Sequence, residues 1–335
     1  MEPERIPAIS IITPVWNGLP YLRECIESVE RQHFTNWELL ISDDGSTDGS
    51  AEFLETLNNP RIRVFRQQNN LGIFGNLNFL FGKARAPISQ ILCQDDYLTG
   101  QSSLDKIHHY WTQARPDVGF ACFNRLSFPE RWFMGFIKYQ QPLDVIPEVS
   151  DLCFFLFGCM PGNLSNVTLR TSVVSASGWF REDLPYLGDF EFWSRAARSY
   201  SSVYEWDVVT HIRSHSEQAS KRYYRRGEYM VQEARVLNEL YDRLTSIAPV
   251  SRPLLRVHAT IRYICPQMNN AIRGLLRGSA LHWKELRLMR SITKYHLGLG
   301  VTWFLFVVSL GGRIGAQVTA RSLLAREKAV SCRVS

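Results

Sequence analysis

The sequence predicts an α/β fold: a mainly parallel central sheet with helices on both faces, followed by a basic helical C-terminal extension. Three observations carry this expectation. Over the first 125 residues, β-rich runs alternate with amphipathic segments at the spacing of strand, helix, strand units. Three polar clusters, TPVWN (13–17), DDGS (43–46) and CQDD (93–96), each follow a β-rich run, which places them together along one edge of such a sheet. Charge is divided as well, with 21 Lys+Arg against 7 Asp+Glu from His211 onward and 17 against 25 before it. An acidic body with a basic tail implies an anionic partner for the tail.

The elements follow in order. AISIIT (8–13) is the first strand and is expected to stop at Pro14; YLRECIESVERQ then puts Leu22, Cys25, Ile26 and Val29 on one helical face. WELLISD is the second strand, 48–57 the next helix with Asp48 as its cap, and RIRVFRQ the third strand. A helix over 73–84, a strand ISQILCQ, a helix over 101–114 and a strand VGFACFN complete the alternation. Crossovers of this kind are right-handed, and ligands gather beyond the carboxyl ends of the strands. From about Phe128 to Asp151, Pro129, Pro142 and Pro147 break any long element. DLCFFLFG and DFEFWSRAARS read as helices, and the chain beyond Arg213 as helical and basic. The expected division is 1–220 as an α/β domain, itself in two parts of about 1–125 and 126–220, and 221–335 as the basic helical region.

The N-terminal MEPERIPAIS has neither the basic n-region nor the apolar h-region of an export signal, and seven cysteines without a CxxC pair indicate neither a disulfide framework nor a zinc site. A cytoplasmic protein is expected. LGLGVTWFLFVVSLGG (297–312) is uncharged, short for a membrane-crossing helix and flanked by Lys294 and Arg313. It reads either as a buried helix of a bundle or as a segment at an anionic membrane surface. No nucleic-acid partner is expected.

Four clusters carry candidate chemistry. Asp95 and Asp96, adjacent carboxylates at a strand end, can hold Mg²⁺ or Mn²⁺ with positions left open for phosphate oxygens, although an Asp-Asp turn in solvent reads the same. Asp43 and Asp44 can accept hydrogen bonds from a base or a ribose, or form a plain polar turn. Asp189, ahead of FEFWSRAAR, is either a helix cap or a general base towards a hydroxyl. Arg213 and His215 alternate along a strand-like run and so share a face, where they can bind a diphosphate, with His215 as a further metal ligand. Neither a G-x-G-x-x-G nor a G-x-x-x-x-G-K-[ST] pattern stands at a strand-to-helix turn, which weakens the Rossmann and P-loop alternatives.

Taken together, SIITPVWNGLPYLRECIESVERQHFTNWELLISDDGSTDGS, NNLGIFGNLN, ISQILCQDDYL and YLGDFEFWSRAA resemble the family 2 glycosyltransferases of GT-A fold, over roughly residues 6–220. The resemblance implies an inverting transfer from a nucleotide-diphospho-sugar donor to a glycan or lipid-linked acceptor with Mg²⁺ or Mn²⁺, in cell-surface polysaccharide, lipopolysaccharide or glycolipid assembly. It implies that Pro14, Trp16 and Asn17 line the nucleotide pocket, with Asp44 on the base and Asp43 shaping that edge. It makes Asp95 and Asp96 the metal and diphosphate motif, Asp96 the more direct ligand, and Asp189 the catalytic base. Two positions depart from the family pattern: Cys93 stands where an aspartate is frequent, and Leu77 precedes Asn78 where an arginine is frequent. The contact to the donor that such an arginine would make is then either missing or supplied elsewhere, with Arg213 as the candidate. A binding protein of the same fold without turnover, for which Cys93 is the clue, and a nucleotidyltransferase are the alternatives.

Overall fold

A computed structural model describes residues 6–124, 142–215, 228–247 and 251–326. They fall into two compact units, Met1–Pro129 with Pro161–His215, and Glu130–Met160 with Ser216–Ser335.

In the first unit, β1 (Ile9–Val15), α1 (Leu19–Glu30), β2 (Trp37–Asp43), α2 (Ser50–Glu55), β3 (Ile62–Arg66), α3 (Gly72–Phe81) and β4 (Ile88–Ile91) follow the expected alternation. They are succeeded by β5 (Tyr97–Leu98), α4 (Ser103–Gln113), β6 (Val118–Cys122), β7 (Val167–Arg170), α5 (Ser172–Ala176), α6 (Gly188–Ala196), β8 (Ser201–Tyr204) and β9 (Thr210–His211). The sheet runs β3-β2-β1-β4-β7-β6-β8. The first four are parallel neighbours, whereas β7 lies antiparallel between β4 and β6. All seven residues of β1 and of β2 are buried, as expected of parallel strands with helices on both faces. Leu22, Cys25, Ile26 and Val29 of α1 pack into the same core.

The structure departs from the expected boundaries where a specific bond decides the matter. β1 does not stop at Pro14 but continues to Val15, in register with Ser42 and Asp43 of β2. Ile12 O accepts from Leu92 N at the end of the β4 ladder, so Pro14, two residues on, turns its missing N–H to a side with no further partner strand. β4 ends at Ile91 rather than Gln94, because Cys93 N donates to Ser165 Oγ (2.9 Å) and Asp96 N to Cys93 O (3.0 Å) in a turn. The α2, α3 and α4 helices are each shorter than expected. β7, from NLSNVTLR, was not expected, and it makes this part of the sheet mixed.

One buried charge braces the sheet. Glu38 of β2, 1% exposed, accepts from Ser10 Oγ (2.7 Å) and Arg85 N (2.8 Å) on one oxygen, and from Arg63 Nη1 (3.1 Å) and Arg85 Nε (2.9 Å) on the other. Burial alone would raise its pKa; the bonds from Ser10, Arg85 N and Arg63 outweigh burial and hold it below the ordinary value of 4.5.

In the second unit, helices span Pro147–Phe157, Glu228–Ile247, Arg252–Ala259, Cys265–Leu276, Leu281–Ile292, Leu299–Val308 and Ala316–Arg326. The expected DLCFFLFG helix buries Leu152 through Phe157 without a break. A π turn, Thr260–Ile264, leads into the Cys265–Leu276 helix at Pro266, whose missing N–H interrupts regular α bonding. Within 297–312 only Leu299–Val308 is helical, and the alternative of a buried bundle helix does not hold: its one buried residue is Thr302. Among the described residues, no helix is long and apolar enough to cross a membrane.

Replacing Glu38 by Ala is expected to lower the stability of the first unit by about 2 kcal/mol, read as a reduced urea midpoint. The loss falls short of that for a fully buried pair because Arg63 and Arg85, 32% and 39% exposed, rehydrate. Because the folded pKa is depressed, the difference between wild type and E38A is full above pH 4.5 and shrinks as pH falls through the lowered value.

Candidate active site at the strand ends

The loops after β1, β2 and β4 leave the same sheet edge and are bonded to one another. Trp16 N donates to Gln94 Oε1 (2.7 Å) and Gln94 Nε2 donates back to Trp16 O (2.9 Å). Asn17 N donates to Ser46 Oγ (2.8 Å) and Thr47 N to Asn17 Oδ1 (2.8 Å), with Asn17 in the left-handed region at φ 50°. Gly18 N donates to Ser50 Oγ (3.1 Å), and a Cβ on Gly18 would stand 2.3 Å from Gln94 Oε1, so a larger residue there would push the Gln94 amide off Trp16. Asp48, expected as the cap of α2, stands one residue before the Gly49 cap position and ties α2 to α1 instead: Oδ1 takes Ser50 N and Oγ while Oδ2 takes Leu19 N (3.0 Å) at the start of α1. Its pKa, which partial burial would raise, is held low by those bonds. Pro14 sits within β1 under this cradle, and Trp16, 40% exposed, stands at its rim.

Asp43 and Asp44 are both buried. Asp44 Oδ1 accepts from Leu71 N (2.8 Å) and Oδ2 from Gly72 N (2.9 Å), which ties the NNLG turn and the start of α3 to the end of β2. Burial raises its pKa, the two N–H bonds oppose this, and the charge of Asp43 adds to it. Asp43 Oδ2 accepts from Ser46 N (3.3 Å), while Oδ1 is a buried acceptor with no hydrogen-bond partner among the described residues.

The acidic pair divides. Asp96, 1% exposed, accepts from Ser165 Oγ (2.6 Å) and from Arg213 N (3.0 Å), so both oxygens of the residue expected as the more direct ligand are engaged inside the protein. Burial, then the charge of Asp95, pushes its carboxyl up to about 7 against those bonds. Asp95, a fifth exposed, meets His215 Nε2 at 2.9 Å. Arg213 spans the edge: Nη1 donates to Asp95 O (2.9 Å), Nη2 pairs with Glu24, and the guanidinium lies over the Tyr21 and Tyr97 rings. Arg213 and His215 thus meet the same acidic pair, Arg213 through Asp95 O and Asp96 Oδ1 and His215 through Asp95 Oδ2, although the strand itself ends at His211. Cys93, its thiol pushed well up by burial and by Asp96 and Asp95, is neutral where the family pattern has an acid.

Two candidates lie in a different network. Asn78 exchanges bonds with the Phe180 backbone, Nδ2 to O and N to Oδ1, both 2.9 Å, and so clamps α3 to the segment before α6. Asp189 is the second residue of α6, not its cap; Phe190 N donates to its Oδ1 (2.7 Å), and burial pushes its carboxyl up to about 6. Of the stretch around 120–165 expected to line a sugar pocket, 125–141 lies outside the described residues. Sequence reasoning missed Ser165, which anchors both Cys93 N and Asp96, and Gln94, which closes the cradle. Ser165 carries no local signal, since its turn precedes the unexpected strand β7; Gln94 stands inside the acidic motif, and only its neighbours attracted notice.

No group of three His, Cys, Asp or Glu able to hold a metal occurs among the described residues. A carboxylate and an imidazole in contact at a half-open edge nevertheless fit a divalent ion that takes its remaining ligands from phosphate oxygens and water.

Residues 10–134 match the family model described as Glycosyl transferase family 2. An uncharacterized glycosyltransferase of Rickettsia felis is 26% identical over 229 residues, covering 64% of this chain and 36% of its own length. One of Haemophilus influenzae is 25% identical over 227 residues, covering 66% of this chain and 69% of its own. The chain therefore spans about a third of the first relative and two thirds of the second. The crystal structure of S. aureus TarS 1-349 in complex with UDP-GlcNAc superposes with a TM-score of 0.51 at 17% identity, over 74% of this chain and 75% of that one, a likeness of GT-A fold.

Gln94→Ala is expected to free Trp16 N–H and the cradle's rim. Loss of the reciprocal pair, about 1 kcal/mol per bond, should speed amide hydrogen exchange at Trp16 by roughly fivefold or more while the β1 and β2 core amides keep their rates.

Proposed function

We propose that the chain, whose residues 10–134 match the Glycosyl transferase family 2 model, moves a sugar from a nucleotide-diphospho-sugar donor to an acceptor hydroxyl with inversion at the anomeric carbon. The observation that carries this reading is the bonded cradle of three strand-end loops with Asp95, His215 and Arg213 along its edge. The UDP-GlcNAc held by the TarS structure of like fold supports the donor class.

In this reading the nucleoside lies over Pro14, Trp16 and Asn17. Asp44 accepts from the base with lone pairs not used by Leu71 and Gly72, and Asp43 supports that edge. A divalent cation, Mg²⁺ or Mn²⁺, held by Asp95 and His215 with Asp96 behind them, supplies positive charge to the departing diphosphate. Arg213 adds its guanidinium to the same phosphates. Asp189 takes the proton of the acceptor hydroxyl while that oxygen bonds to the anomeric carbon and the bond to the diphosphate oxygen breaks, through an oxocarbenium-like transition state. A base with pKa about 6 is ionised at neutral pH yet still basic enough to pull the proton. Asn78 serves by fixing α3 against the segment that leads to Asp189. The donor side belongs to the chain up to about 125 and the acceptor side to 126–220. Glycan or lipid-linked acceptors of cell-surface polysaccharide, lipopolysaccharide or glycolipid assembly fit a basic C-terminal region working against the anionic inner face of the cell membrane.

Asp189→Asn is expected to keep donor binding and to lower turnover of a nucleotide-sugar by on the order of a thousandfold. In the wild type, the turnover rate should rise with pH and level off above about 6 as Asp189 ionises. Wild-type turnover from D189N, or a flat profile through that range, contradicts the assignment.

A further inference from the structure

The Leu299–Val308 helix of the second unit exposes nearly everything it carries. At about 100° per residue, Leu299, Trp303, Val307, Phe304, Val308 and Val301 fall in order within one arc of roughly 200°. Leu299, Phe304 and Val307 are 66%, 64% and 65% exposed. The opposite side carries buried Thr302 and half-buried Leu305 and Phe306. Such a face on a soluble surface marks an interaction site.

Bonds at both ends hold this helix in place. Arg290 of the Leu281–Ile292 helix donates to Thr302 Oγ1 (3.2 Å) and Leu297 O (3.1 Å), which fixes the first turn. Leu310, Gly311 and Gly312, all at positive φ, end the helix, with Gly312 N donating to Ser309 Oγ (2.9 Å). Around it the charge is mostly positive, although Lys294 pairs with Asp242, an acid 49% exposed at the side chain. Residues 271–326 contain nine Lys or Arg and a single acid, Glu285, which is buried. Leu275, Leu276, Leu281 and Leu288, on the Cys265–Leu276 and Leu281–Ile292 helices, are exposed as well.

We propose that the Leu299–Val308 helix inserts its apolar arc into one leaflet of an anionic bilayer, with the surrounding arginines and lysines on the lipid headgroups. Ten residues rise about 15 Å, half of the roughly 30 Å hydrocarbon core, so the helix lies in the interface and does not cross it. An apolar arc with Trp303 on it, entering about 5–10 Å, and a basic surround are the two signals that together give stable peripheral attachment. Charge complementarity selects a membrane over a second copy of this chain, whose equally basic surface would repel it. The inference deepens the membrane side of the function proposed above and rests on that reading only for the acceptor it would meet there.

The test is vesicle flotation of the full chain with phosphatidylcholine alone and with phosphatidylcholine mixed with phosphatidylglycerol. Partition onto the anionic vesicles is expected to be higher by on the order of tenfold. The double variant F304E/V307E, altered only at exposed positions, should lose on the order of tenfold or more of it. Quenching of tryptophan fluorescence by lipids brominated along the acyl chain should appear in the wild type and vanish in W303F. No partition, partition unchanged in the double variant, or quenching unchanged in W303F overturns the proposal. So does a dimer that this variant converts to monomer while vesicle binding is absent. Nucleoside-diphosphate binding is followed in the same proteins. Its retention without vesicle binding overturns the anchor alone, whereas vesicle binding without it overturns the transferase reading alone.

Discussion

Four successive backbone N–H groups, Trp16 to Leu19, are each taken by a side chain from another loop: Gln94, Ser46, Ser50 and Asp48. The geometry of the candidate site depends on this. Helix α1 begins here without a side-chain cap of its own, so its first donors would be left unsatisfied if the loops after β2 and β4 were not drawn against them. Satisfying those donors brings the three strand-end loops into one cradle. It also removes the α1 N-terminus as a phosphate site, because the N–H groups that would cradle an anion are occupied. In the proposed function, a diphosphate at this edge therefore takes its counter-charge from Arg213 and from a cation at Asp95 and His215.

The buried carboxylates show how the same loss of hydration can lead to opposite states. Glu38 is surrounded by two arginines, a hydroxyl and an amide, and its charged form wins. Asp96 is as deeply buried but has one hydroxyl, one amide and a neighbouring acid, so its proton is held up to about 7. Glu38 accordingly braces the sheet on its own. At Asp189 burial outweighs the backbone N–H groups of Phe190 and of Asp189 itself, and the carboxyl rises into the range where a general base is useful.

What was legible in the sequence follows from what is local. β2 was read to the residue because WELLISD carries the apolar stretch Leu39–Ile41 and is ended by its own polar turn. The shared edge of TPVWN, DDGS and CQDD was legible because strand direction in a parallel alternation fixes which ends meet. Pro14 misled, since whether its missing N–H matters depends on where the neighbouring ladder stops, at Ile12 and Ile91. β7 and Ser165 were not legible: a four-residue strand from a distant segment slots antiparallel between β4 and β6, and its preceding serine acts only through Asp96 and Cys93 N. The exposed Leu299–Val308 helix was visible as an uncharged run, but which side of it the fold would cover depends on Arg290 and the Leu310–Gly312 turn.

The central claim is that the strand-end cradle and its Asp95–His215 edge form a nucleoside-diphosphate site completed by a divalent cation. Titration calorimetry of UDP and GDP into the full chain, with and without Mn²⁺, tests it most directly, with Asp95→Ala alongside. The account predicts binding of a nucleoside diphosphate that strengthens with Mn²⁺ in the wild type and loses that dependence in D95A. Binding equally strong without the metal, or metal-dependent binding undiminished in D95A, would contradict it.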